Sequence, residues 1–111
     1  MPFKSRFNSD FTGEVTYGHN VVMSIVGLAA QEIKGVVGLQ GKGIRTETIG
    51  NTINVDVFVN VEFGVKCSDV AFRVQENIKR SVETMTSFKV GVVNVNIMGV
   101  SFEEKNEKYG N

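Results

Sequence analysis

The chain has 111 residues, 41% of them hydrophobic and 22% charged, which fits one folded domain with a real core and excludes a disordered chain. Twelve basic residues balance twelve acidic ones, which argues against a surface built mainly for nucleic acid or an anionic membrane. Cys67 is the only cysteine, so no internal disulfide forms, and neither a signal-peptide core nor eighteen consecutive apolar residues occur; a cytoplasmic protein without a direct membrane span is expected.

Residues 1–12 read as a polar, aperiodic leader, and Gly13 to Tyr17 as a short edge strand. From His19 to Ile33, apolar residues at Val22, Ile25, Val26, Ala29, Ala30 and Ile33 follow the three-one-three spacing of one helical stripe. Gly35 is placed to end that helix, and Gly27 within it points to close packing against a neighbour. The segment from Gly35 to Gly43 holds four glycines and reads as a flexible connection, with Val36 and Val37 tucked under the domain.

Ile44 to Ile49 then reads as a strand, with Gly50 and Asn51 as a tight hairpin turn. Beyond it, Ile53, Val55, Val57, Val59 and Val61 alternate with Asn54, Asp56, Phe58, Asn60 and Glu62, the period of a strand with one buried face. A second helix is expected from about Ser68 to Thr86, with Val70, Val74, Ile78, Val82 and Met85 on its inner stripe. The last strand spans roughly Lys89 to Val100, with Gly91 marking a bulge, and Glu103 to Asn111 form a charged tail. A nineteen-residue helix covers about 28 Å and an eleven-residue strand about 36 Å, so each helix can lie along the sheet. The expected architecture is an α+β two-layer sandwich over residues 13–102: a three- to four-stranded sheet with two helices packed on one face.

Groups able to do chemistry are few. His19 is the single histidine and reads as an ordinary polar residue at a helix start; Cys67 precedes the second helix and reads as a small cap-region residue. A Cys–His pair would need the two helix starts to meet. The glycine-rich segment fails the Walker A pattern, with Val36 where its first glycine belongs and Gly43 after Lys42; Thr46 breaks the dinucleotide fingerprint. Gly38-Leu39-Gln40-Gly41 does spell the GxxG by which KH domains hold nucleic acid, so a nucleic-acid loop using Lys42 and Arg45 is the alternative reading, beside plain loop flexibility. Glu103 and Glu104 form a carboxylate pair in the solvated tail. No catalytic residue, cofactor, metal or small-molecule substrate is expected.

The polar face of the sheet holds more. Asn54, Asn60, Asn94 and Asn96 share it with Phe58 and Met98, and asparagine is disfavoured in strands, so this face reads as uncovered. Scattered surface apolar residues are the ordinary explanation; the functional one is a docking or self-association surface built from Phe58, Met98, Asn60 and Asn96.

Four segments in order resemble the alkaline shock protein family, the envelope stress response proteins. They are the helix end Ile25 to Val36, the strand Val59 to Val65 with its Phe63-Gly64, the helix Val74 to Thr86, and the closing Val93 to Val100. The resemblance covers about residues 13–101. It implies a non-enzymatic binding or scaffold protein of Gram-positive bacteria, tied to cell-envelope homeostasis and alkaline stress. It also implies a protein partner, membrane-anchored for some members, and self-assembly in others. No catalytic residues are carried over from it.

Overall fold

The strict alternation from Ile53 to Val61 decides the architecture, because a strand that buries every second side chain needs cover on that face. The computed structural model, which describes Gly13 and residues 15–102, supplies it. In chain order come α1 (His19–Gln31), β1 (Val36–Ile49), β2 (Thr52–Glu62), α2 (Cys67–Met85) and β3 (Lys89–Ser101). β2 is central, antiparallel to β1 and parallel to β3. A parallel return cannot be made by a hairpin, and α2 is the crossover that makes it. The protein is thus an α+β two-layer sandwich with both helices on one face of three strands.

Ile53, Val55, Val57, Val59 and Val61 are at most 1% exposed. They meet Val22, Ile25, Val26, Ala29 and Ala30 of α1 and Val70, Val74, Ile78 and Val82 of α2. Each valine or isoleucine buried this way stabilises the fold by roughly 1.5–3 kcal/mol. Gly27 does what its position in the helix suggests: a Cβ there would lie 3.3 Å from Ile44 Cδ1, so the glycine lets α1 settle onto β1. The helices run antiparallel. Asn77 Nδ2 donates to the Ala29 carbonyl at 2.8 Å and to Glu32 Oε1 at 3.0 Å. A side chain at Gly35 would meet Val70 near the start of α2, whereas the Tyr17 and Phe88 rings lie 6.0 Å apart at the other end.

Four details differ from the sequence reading. Gly13 and residues 15–17 form no strand, and Val15 is 74% exposed; without cover or a paired neighbour this short stretch gains nothing from extension. The segment from Val36 to Gly43 is not a connection but the first half of β1. Its glycines serve irregularity within the strand: the four residues between Leu39 and Ile44 stand against one, Phe58, on β2, and Gly41 and Gly43 take φ of 66° and 76°. Val36 is half-buried as expected, but Val37 is the extra residue of a smaller register shift and faces solvent. In α2 the stripe ends early, leaving Met85 63% exposed while Thr86 is buried, its Oγ1 donating to Val82 O at 2.7 Å and accepting from Phe88 N at 3.1 Å. The leader, Glu14, and the tail with Glu103 and Glu104 lie outside the described residues.

Candidate functional site

The antiparallel helices separate the two nucleophile-type groups. His19 opens α1 beside the end of α2, where Tyr17 meets Phe88; Cys67 opens α2 at the opposite end, near Gly35 and Val65. Both are exposed, and the helix starts do not meet, so the structure forms no Cys–His pair. Among the described residues no group of three His, Cys, Asp or Glu side chains converges as a metal site would require.

The glycine-rich segment is a strand rather than the helix-to-helix loop of a KH domain. Gly38 pairs with Asn60 in the ladder, and Gly41 sits in the irregular stretch beyond. Arg45 is exposed on β1 opposite Asp56, while the Lys42 side chain lies outside the described part. The geometry that the nucleic-acid reading needs is absent from this segment.

The open face of the sheet gathers most of the remaining polar groups. Register sets its rows: Arg45, Asp56 and Asn94 lie side by side across the three strands, then Phe58 beside Asn96, then Gly38, Asn60 and Gly99. A shallow depression of about 510 Å³ lies over the first row, lined by Arg45, Glu47, Asn54, Asp56 and Asn94. Asn94 Nδ2 donates to Asp56 Oδ1 at 2.8 Å, and Asn96 Nδ2 to the Val57 carbonyl at 3.2 Å. Phe58 is half-buried between its neighbours, and Met98 is 54% exposed as the extra residue where β3 shifts register between Ile97 and Gly99. Phe58, Asn60, Asn96 and Met98 therefore fall in one region.

Sequence reasoning took the strand asparagines only as a sign of exposure, and the structure gives two of them more to do. Gly91 does mark a bulge, and Asn54 fills the space a side chain there would need, accepting Val92 N–H at 2.9 Å. Asn60 stands in the same relation to Gly99, with its Oδ1 within 2.9 Å of where a Cβ would be. That oxygen is buried and has no hydrogen-bond partner among the described residues. An Asn on β2 facing a Gly on β3, twice in one face, is the signal that could have revealed these contacts.

Two further residues had no sequence signal. Gln75 Nε2 donates to the Val93 carbonyl at 3.0 Å, and Glu83 Oε2 accepts Val90 N–H at 2.8 Å. The Val90 amide, together with Lys79 at 3.1 Å, holds the Glu83 carboxyl below the usual carboxylate range. These α2 side chains reach the outer edge of β3.

Comparison with known proteins places this architecture. Residues 40–102, from within β1 to just past β3, match the model of the alkaline shock protein 23 family, described as having a cell envelope-related function. The chain belongs to that family. An uncharacterized Bacillus subtilis protein, YqhY, is 32% identical over 109 residues, covering 84% of this chain and 81% of that protein. A stress response regulator gls24 homolog of Streptococcus pyogenes is 25% identical and covers 89% of this chain, which spans 65% of its length. Among solved structures, the copper form of the MamM CTD superposes with a TM-score of 0.62 at 17% identity, over 76% of this chain and 97% of that one. That last likeness is one of fold alone. Among the described residues no helix is long and apolar enough to cross a membrane.

Proposed function

We propose that this family member is a non-enzymatic binding or scaffold protein of the cell-envelope stress response, working in the cytoplasm through surface association rather than turnover. A protein partner, membrane-anchored or not, would hold it near the envelope, and copies of the chain would assemble with one another. The observation that carries the reading is a sheet face that no described element covers, since both helices lie on the other side and leave exposed Met98 and half-buried Phe58, Asn60 and Asn96 in one region. The family match and the stress-regulator relative support the envelope-stress setting.

Phe58→Ser combined with Met98→Ser tests it. The double variant is expected to keep a cooperative thermal transition close to the parent, because neither side chain belongs to the core between helices and sheet. Capture of partners from the native host should drop, as apolar anchors within an interface carry much of its energy. Undiminished capture by a folded double variant would move the contact surface to a helix face.

A further inference from the structure

Alternation of the backbone shows which way β3 points its polar groups. Lys89 N–H donates to Asn51 O at 2.9 Å, and Ser101 O accepts Phe63 N–H at 3.0 Å, so both residues turn toward the central side of the sheet. Val90 then points outward, where its N–H finds Glu83; after the bulge at Gly91 and Val92, Val93 points outward, where its carbonyl finds Gln75. By the same alternation Val95 and Ile97 also point outward. Their backbone N–H and C=O groups have no partner among the described residues, and both side chains are only half-buried at the margin of the core.

An edge strand of this kind is a template for another strand unless something guards it. Common guards are charge, proline and local twist. From Val90 to Ser101 there is no charged residue and no proline, and the stretch from Val93 to Ile97 runs regularly between two bulges. α2 caps its beginning and leaves its end open.

We propose that a second copy of this chain adds to that edge, the two β3 strands pairing antiparallel about a two-fold axis at Asn96. The register is dictated by which groups are free. Val95 exchanges both backbone hydrogen bonds with the partner's Ile97, Ile97 does the same with the partner's Val95, and the two Asn96 residues face each other as the non-hydrogen-bonded pair between them. The N–H and C=O groups of Val95 and Ile97 on each edge are matched by those of the other, while the Val93 N–H and the outward groups of Val100 lie beyond the paired stretch. Valine and isoleucine side chains at the margin of each core gain cover from their counterparts. The sheets join into six strands with all helices on one side, and the two open faces become one continuous surface. This deepens the assembly reading above and rests on it, but uses the edge of β3 rather than the open face. So short a pairing makes a weak, concentration-dependent dimer.

The axis supplies the test. Facing side chains of a non-hydrogen-bonded pair lie about 4.5–5.5 Å apart, so like charges there repel and opposite charges attract. The wild-type chain is expected to show a monomer–dimer equilibrium by sedimentation or light scattering over a concentration series. Asn96→Asp and Asn96→Lys should each weaken it at least about tenfold, and an equimolar mixture of the two should restore it. As a second route, Asn96→Cys with Cys67→Ser should form a disulfide-linked dimer under mild oxidation, because the pair's Cα separation of about 4.5 Å suits a disulfide. Dimers unaffected by either charge, a mixture that fails to recover, a cysteine variant that does not cross-link, or a wild type monomeric throughout would overturn the proposal. Phe58→Ser with Met98→Ser separates the two readings, since it should lose partner capture while this dimer persists.

Discussion

The two edges of the sheet solve the same problem differently. β1 is long and lies at one margin, but its first half is broken by two register shifts and two left-handed glycines, and its second half carries exposed Arg45 and Glu47. The first half offers no run of evenly spaced groups for a neighbour to match, and the regular run from Ile44 to Ile49 is guarded by charge. β3, at the other margin, is uncharged from Val90 to Ser101 and keeps a regular stretch between its bulges. Its protection is borrowed from α2 through Gln75 and Glu83 and covers only the beginning. One edge is guarded by its own conformation and charge, the other is half closed by a helix, and the open half is where association can occur.

That comparison assumes a central strand firm enough to present both edges, and the largest effect should come from attacking it. Val57→Asp would place a carboxylate with no partner among Val59, Val74 and Ile78, all with no measurable exposure. The expected loss exceeds about 4 kcal/mol, enough to abolish the cooperative thermal transition of a domain this size. Val74→Asp, from the helix side of the same core, should do likewise. A normal melt in either variant would contradict the packing on which both edges depend.

How much of this could be read from the sequence differs with the kind of signal. The β2 alternation and most of the α2 stripe were plain because period two and period three-to-four report directly on burial; Val90 of the core went unmarked, and Met85 was wrongly counted inward. The first half of β1 was not. Glycine suggests a loop when residues are read singly, and only the partner strand shows that Gly41 and Gly43 sit inside a ladder. Phe58, Asn60, Asn96 and Met98 were legible as a face from alternation, although Met98 is exposed through a register shift that no spacing announces. Gln75 and Glu83 left no trace, because a polar residue on a helix flank looks the same whether it meets water or the backbone of a distant strand.

A smaller effect, with a definite pH signature, should follow from loosening the borrowed protection of β3. Glu83 has a folded pKa held below its unfolded value by the Val90 amide and by Lys79. Its contribution is therefore fully present above the unfolded carboxylate pKa and is lost as the pH falls through the folded one. In Glu83→Gln that contribution is missing, so the melting temperature should fall modestly below the parent at neutral pH, and the gap should close on acidification. Thermal melts across a pH series measure it. A gap that widened toward acid pH would show that the carboxylate is not a stabilising cap on this edge.

The smallest effect is expected at the other edge. If β1 is closed by its irregular backbone, its charges are secondary, and removing them should change little. Arg45 is exposed and forms no ion pair among the described residues, so Lys42→Ala with Arg45→Ala should alter stability by no more than about 0.5 kcal/mol. The double variant should also sediment as the parent does, since Gly41, Gly43 and the extra residues between Leu39 and Ile44 still break the first half of the strand, and Glu47 still stands on the regular run from Ile44 to Ile49. The same protein addresses the nucleic-acid reading of this segment, because salt-sensitive RNA binding carried by the two cations would disappear in it. New self-association in the double variant would show that charge is what guards β1. The contrast between the edges would then be one of sequence composition, with β3 open simply because it carries no lysine or arginine beyond Lys89 at its start.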